Sequence, residues 1–150
     1  KTLPRDKGLA AANLKPRLRM MVLYYFANKL DYLVCGTGNK SELMVGYFTK
    51  YGDGATDLLP IADLLKRQVR ALARELGIPA SIIDKPPTAG LWPGQTDEGE
   101  MGITYDQLDD VLYRLEERKT QRLPKAKVEK VNRMFKASQH KRQGPRICYL

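Results

Sequence analysis

Asp31-Tyr32-Leu33-Val34-Cys35-Gly36-Thr37-Gly38-Asn39-Lys40-Ser41-Glu42 passes from an apolar run, through a glycine-containing loop, into a helix start. Residues 31–36 have the length and composition of a short buried strand, and Cys35 within it reads as a core residue. Thr37 to Lys40 form the loop, and Ser41 is placed to cap a helix running to about Phe48. A strand, a loop and a helix in that order mark an α/β chain, in which ligands sit at the carboxyl ends of strands. A second short strand is expected near 57–61. A parallel sheet needs neighbours on both sides of its central strands, and these 150 residues offer candidates for only part of one. The expected fold is a helix-rich, doubly wound α/β domain, incomplete on its N-terminal side. Glu42 stands where a carboxylate can hold Mg²⁺ beside nucleotide phosphates; an acid in a helix's first turn is also ordinary, since the macrodipole favours it.

On the N-terminal side, residues 1–12 read as irregular. Asn13 is a good N-cap, with Pro16 in the first turn, and Leu14, Leu18, Met21 and Tyr25 line one helical face. Arg17 and Arg19 lie two apart and point to different sides, so at most one serves any given site. On the C-terminal side, Tyr51-Gly52-Asp53-Gly54 is a turn. Leu65, Val69, Leu72 and Leu76 stripe a helix ended by Gly77 and Pro79. Lys66 and Arg67 open that helix, where cations oppose the macrodipole but suit a bound anion. Residues 86–103 form a long aperiodic segment, of the kind that usually carries function. Thr104 and Gln107 make a capping box. The helix after it has an apolar stripe at Leu108, Val111, Leu112 and Leu115 and an acidic opposite face. Pro124 opens a last helix with Val128, Val131 and Phe135 inward, and the tail from Gln139 reads as irregular.

The composition excludes several classes. The longest apolar run, residues 20–27, falls well short of the ~20 residues of a membrane span. The first residues lack the apolar core of a signal peptide, and the missing initiator Met leads us to expect residues upstream. Two cysteines and one histidine make neither a disulfide scaffold nor a zinc site without carboxylates, so a cytoplasmic protein is expected. The net charge of +9 is concentrated: residues 118–150 hold eleven Lys/Arg against Glu129 alone, leaving −1 on residues 1–117. That block fits a polyanion partner or a solvated helix equally. Only Phe135 and Tyr149 accompany it, too few aromatics for a stacking nucleic-acid surface, so no nucleic-acid partner is expected.

Seven stretches carry a resemblance. They are Asn13-Leu14-Lys15-Pro16-Arg17-Leu18-Arg19-Met20; Gly36-Thr37 with Glu42; and Gly46-Tyr47-Phe48-Thr49-Lys50-Tyr51-Gly52-Asp53-Gly54-Ala55-Thr56-Asp57-Leu58-Leu59-Pro60. Then come Lys66-Arg67-Gln68, Pro87-Thr88-Ala89, Asp97-Glu98 with Gly102-Ile103-Thr104-Tyr105-Asp106, and Gln139-His140-Lys141-Arg142. In order and spacing, over nearly the whole chain, they resemble the ammonia-dependent NAD synthetases. The run from Phe48 to Gly54 also argues against other adenylating ATP pyrophosphatases, such as GMP synthetases and tRNA-thiolating enzymes.

The resemblance implies an adenine-nucleotide alpha hydrolase-like (Rossmann-like) fold, with residues 1–150 as the C-terminal portion of a single catalytic domain. It implies ATP-dependent amidation of nicotinic acid adenine dinucleotide (deamido-NAD) by ammonia through an acyl-adenylate, giving NAD, AMP and pyrophosphate. Mg²⁺ is the implied metal, ATP the co-substrate and a homodimer the implied assembly; a fragment serving only in dimerisation is the lesser alternative. Carried over residue by residue, Glu42 resembles a Mg²⁺ ligand, and Thr37, Lys66 and Thr88 resemble ATP contacts. Arg17, Lys50, Asp57, His140 and Lys141 resemble deamido-NAD contacts. No covalent or acid–base residue is implied. Many relatives have aspartate and histidine after the position of Thr37, where this chain has Gly38 and Asn39. The family's serine-glycine-glycine-x-aspartate-serine phosphate loop does not occur in these 150 residues, so the chain by itself is expected to be inactive. No glutaminase domain is visible in them, so free ammonia is the expected nitrogen source.

Overall fold

The computed structural model describes residues 8–119 and 123–148. Its organising element is helix α7 (Tyr105–Glu116), started by Thr104, whose side chain accepts the Gln107 N–H. Spacings of three and four residues bring Tyr105, Leu108, Val111 and Leu112 to buried positions. Helices α3 (Lys40–Val45), α4 (Lys66–Glu75) and α8 (Lys125–Ala137) pack around α7. Val45, Leu65, Met101, Ile103 and Val131 complete the core. Short helices α1 (Leu9–Ala12), α5 (Ala80–Ile83), α6 (Asp97–Met101) and α9 (Gln139–Arg142) punctuate the loops, and α2 (Leu14–Leu30) is the long one. The expected irregular stretches at 1–12, 86–103 and 139–150 therefore contain α1, α6 and α9, each of four or five residues. Residues 1–7, 149 and 150 lie outside the described ones.

The expected strands shrink to one parallel bridge, Cys35 to Leu58. The Gly36 N–H donates to Leu58 O at 2.9 Å and the Asp57 N–H to Val34 O at 2.9 Å. The two segments lie side by side where strands were expected, but no strand is formed among the described residues. Among the described residues this short parallel pair has no neighbouring strand to extend its ladder. Cys35 is exposed, not a core residue; Val34 and Gly36 are buried on either side of it.

Helix α2 departs further from expectation. Its stripe of Leu18, Met21 and Tyr25 is exposed, and so are Val22, Leu23, Phe26 and Leu30 on other sides. Within α2 only Pro16 and Ala27 are buried. So broad an exposed apolar face is wider than one stripe, and a stripe alone does not say what covers it. The start of α2 is where expected, but Asn13 does not cap it; its side chain accepts the Thr49 hydroxyl at 2.7 Å. Among the described residues no helix is long and apolar enough to cross a membrane.

Two glycines allow close packing near the site, Gly46 against the α8–α9 junction and Gly54 against Phe48. Gly46 ends α3 at φ +70°, and a Cβ there would lie 2.1 Å from the Ser138 Cβ. Gly46→Ala is thus both strained and overpacked, and is expected to destabilise by about 2 kcal/mol or more in urea unfolding. Gly54 leaves room for Phe48, whose ring would lie 2.4 Å from an added Cβ. The left-handed residue of this turn is Tyr51, at φ 61°, rather than a glycine.

Candidate functional site

The start of α3 is built by a reciprocal cap. Asn39, not Ser41, is its N-cap: the Asn39 side chain accepts the Glu42 N–H at 3.1 Å, and Glu42 Oε2 accepts the Asn39 N–H at 3.2 Å. The second carboxylate oxygen, Oε1, is thereby directed away from the cap. It receives the Lys66 ammonium at 3.0 Å and the Tyr105 hydroxyl at 3.3 Å. Lys66 Nζ also stands 4.8 Å from the centroid of the Tyr105 ring, a favourable place for a cation.

Tyr105 donates to Asp97 Oδ2 at 2.9 Å as well. Asp97 opens α6 and is 5% exposed, yet its Oδ1 is buried without a hydrogen-bond partner among the described residues. Burial pushes the Asp97 carboxyl above its ordinary value, and the charge of Glu42 adds to this, against the hydrogen bond from Tyr105, the nearby Tyr47 hydroxyl, which donates to Glu100 at 2.9 Å, and the charge of Lys66. Burial, with both carboxylates, holds the Tyr105 hydroxyl far above its ordinary value, so it stays a donor. Because Asp97 is raised in the fold, the folded state binds more protons than the unfolded one above about pH 3.8. Stability conferred by protonated Asp97 is therefore lost as pH rises from there through the folded value. The urea midpoint of the wild-type chain is expected to decline across that window relative to Asp97→Asn; parallel pH curves would contradict the assignment.

Thr37, Glu42, Lys66, Thr88 and Asp97 all line one cavity of about 470 Å³, with Val69, Ile78 and Ile83 on its apolar side. An ammonium, hard carboxylate oxygens and hydroxyls beside an apolar wall suit a phosphorylated ligand carrying a flat base. Among the described residues no three His, Cys, Asp or Glu side chains group to hold a metal. Mg²⁺ is typically held by one or two carboxylates, with phosphate oxygens and water completing its shell. Glu42 Oε1 and the orphaned Asp97 Oδ1 are the oxygens that fit this need.

The other expected contacts fall into three settings. Arg17 Nε donates to Lys50 O at 3.4 Å. Lys50 Nζ donates to the carbonyls of His140 and Gln143, the latter at 3.1 Å. Arg17, Lys50 and His140 are thus gathered in one place. Lys141 points back to α3 and the loop after it, donating to Gly46 O and Phe48 O at 2.8 Å each, and burial lowers its ammonium's pKa. Lys141 and Thr37 also line a second cavity of about 420 Å³. Asp57 stands apart from the three: its carboxylate accepts the Val34 N–H at 2.7 Å and the Tyr24 hydroxyl at 3.2 Å. In this chain Asp57 holds the bridged segments together.

The sequence model of the NAD synthase family matches residues 1–145. The chain belongs to the NAD synthase family. It is 57% identical over 140 residues to the NH(3)-dependent NAD(+) synthetase of Archaeoglobus fulgidus, covering 93% of this chain and 56% of that protein. Against the NH(3)-dependent NAD(+) synthetase of Sulfolobus acidocaldarius it is 52% identical over 150 residues, covering 95% and 54%. The chain therefore spans about half the length of the curated relatives it matches. Among solved structures, the NMN synthetase of Francisella tularensis superposes with a TM-score of 0.84 at 43% identity, over 93% of this chain and 56% of that one. The NH3-dependent NAD synthetase of Campylobacter jejuni gives 0.79 at 30%, over 97% and 58%.

Ser41, Asp97, Tyr105 and Asp109 join this candidate site although none of them is a candidate site residue in the sequence; Asp97 and Tyr105 stand there only within a quoted stretch. Asp109 is one of the acids of α7, yet it is fully buried. The signal was present. Asp109 lies four residues after Tyr105 and three before Leu112, inside the buried stripe. Ser41 was read as a cap, while Asn39, two residues earlier, is the cap.

Proposed function

We propose that the protein carrying this chain is an ammonia-dependent NAD synthetase. In that reaction an oxygen of the nicotinate carboxylate of deamido-NAD attacks the α-phosphorus of ATP, the bond to the bridging oxygen breaks, and pyrophosphate leaves. Ammonia then attacks the acyl carbon, AMP departs with the electron pair of the broken carbon–oxygen bond, and the nitrogen loses a proton to give the amide of NAD. The observation that carries this reading is the convergence of Thr37, Glu42, Lys66 and Thr88, distant in sequence, on one cavity, in a chain of this family.

The residues divide the work by charge. Lys66 supplies a cation to the phosphates, steadied by Glu42 on one side and the Tyr105 ring on the other. Thr37 and Thr88 offer hydroxyls, and Val69, Ile78 and Ile83 an apolar wall for adenine. Glu42 would hold Mg²⁺, with Asp97 Oδ1 as the second oxygen available. Mg²⁺, when bound, offsets charge on the triphosphate and on the departing pyrophosphate. Arg17, Lys50, His140 and Lys141 form the deamido-NAD side, the first three already linked, and Asp57 serves it by holding the bridged segments together. The remainder of the rate enhancement is positioning and fixed electrostatics.

Residues 1–150 are in this reading the C-terminal portion of one catalytic domain. The parallel bridge at Cys35 and Leu58 belongs to a doubly wound parallel sheet whose other strands lie in the half of the relatives' length that this chain does not span. The broad exposed apolar face of α2 supports a homodimer, in which symmetric burial of such a face is common. The protein works in the cytoplasm. The likeness to an NMN synthetase favours a second reading, in which the same chemistry acts on the mononucleotide.

The test supplies the full-length polypeptide with ATP, Mg²⁺ and ammonium, and either deamido-NAD or nicotinic acid mononucleotide. NAD, AMP and pyrophosphate in equal amounts support the first reading, and amidation of the mononucleotide alone supports the second. AMP release independent of ammonia and of both nicotinate substrates would sink both. The 150 residues by themselves are expected to form no NAD.

A further inference from the structure

Helix α4 begins with Lys66 and Arg67 and has no acid in its first turn, so its positive end must be met from elsewhere. The anion is Asp109, from α7. Asp109 is 0% exposed, and its Oδ2 accepts the Arg67 backbone N–H at 2.8 Å. The Arg67 guanidinium goes instead to Asp110, at 2.9 Å. The other oxygen of Asp109 accepts the hydroxyl of Ser41, also 0% exposed. Ser41 Oγ in turn accepts the Lys66 backbone N–H at 3.0 Å. A buried carboxylate is costly unless its hydrogen bonds are made, and here all the partners named are helix-end N–H groups or a buried hydroxyl.

These bonds join the residue before Glu42 to the backbone of Lys66 itself. The Glu42–Lys66 pair, at 3.0 Å, has side chains 18% and 19% exposed. An ion pair in contact with water does not by itself hold two long side chains in one geometry. Their separation is imposed from behind, by a shared buried anion. We infer that Asp109 and Ser41 are positioning residues, which set Glu42 against Lys66 and so pre-form the grip on a Mg²⁺-bound nucleoside triphosphate. This rests on the function proposed above.

The experiment uses the full-length polypeptide and titrates ATP in the presence of Mg²⁺ by calorimetry, without the nicotinate substrate. Ser41→Ala and Asp109→Asn are compared with Val131→Ala, a core truncation on α8 outside the site. Each site variant is expected to weaken ATP binding roughly tenfold, the cost of one misplaced charged contact, and to raise the Mg²⁺ midpoint, while Val131→Ala does neither at a comparable loss of thermal stability. In a Lys66→Met background, Ser41→Ala is expected to add almost nothing, since its effect passes through Lys66. Should Asp109→Asn not fold, Ser41→Ala carries the test. ATP binding that tracks thermal stability alone across all three variants, or fully additive losses with Lys66→Met, overturns the positioning role while leaving the proposed function standing. Wild-type protein that binds no ATP overturns both.

Discussion

Replacing Glu42 by Gln in the full-length polypeptide is expected to cut NAD formation by about 10²-fold or more, the usual cost of removing one pre-organised electrostatic contact from a transition state. The substitution is nearly isosteric, so the loss is electrostatic rather than steric. The carboxylate has three tasks at once: Oε2 closes the cap on Asn39, and Oε1 receives Lys66 and Tyr105. A glutamine amide cannot accept on both sides, so either the cap or the Lys66 contact is lost. It also removes the negative charge that a divalent cation needs and that balances the ammonium. The Mg²⁺ concentration for half-maximal rate is expected to rise with the loss of rate. The result is read from steady-state rates over a Mg²⁺ titration. A change below about fivefold, a small part of that electrostatic cost, with an unmoved midpoint would remove Glu42 from the metal site.

The largest effect on stability is expected at Leu108. It is 0% exposed on α7, within the core that α3, α4 and α8 close. Leu108→Ala deletes fully buried methyl groups and leaves a cavity that four helices cannot easily collapse, at a cost of about 3 kcal/mol. The same cavity opens between Tyr105 and Asp109, so loosening is expected to reach the site. Urea unfolding followed by far-UV circular dichroism gives the number. A loss under ~1 kcal/mol, below the usual range for a buried leucine truncation, would mean that α7 is not the centre of the core.

Much of the site was legible because its chemistry is local. A cation at a helix start is out of place on dipole grounds, and Lys66 does face a carboxylate in a cavity. Thr37, Glu42 and Thr88 were likewise marked by their stretches, and they line the same cavity. Asp57 was marked as well, but only the folded chain shows it spent on the Val34 N–H and the Tyr24 hydroxyl. A motif identifies a residue without saying which of its hydrogen-bonding capacity remains free. The α2 stripe failed differently. Periodicity reports that a face is apolar, and coverage of that face is a property of whatever packs on it.

What the sequence determined by itself is the family, the approximate extents of the longer helices, and Thr37, Glu42, Lys66 and Thr88 among the residues that line the cavity. The helices follow from residue type, capping chemistry and short-range spacing, all written within a few positions of one another, while the family and the cavity residues follow from the resemblance of seven stretches spread over the chain. Only the tertiary structure decided that Asp109 turns inward to the start of α4, that Ser41 joins it there rather than capping its own helix, and that two expected strands meet in one bridge. Each of these depends on a partner 23 to 68 positions away, the bridge being the shortest. The free energy of a buried hydrogen bond is set by what surrounds both ends, and no local pattern in the chain records that environment.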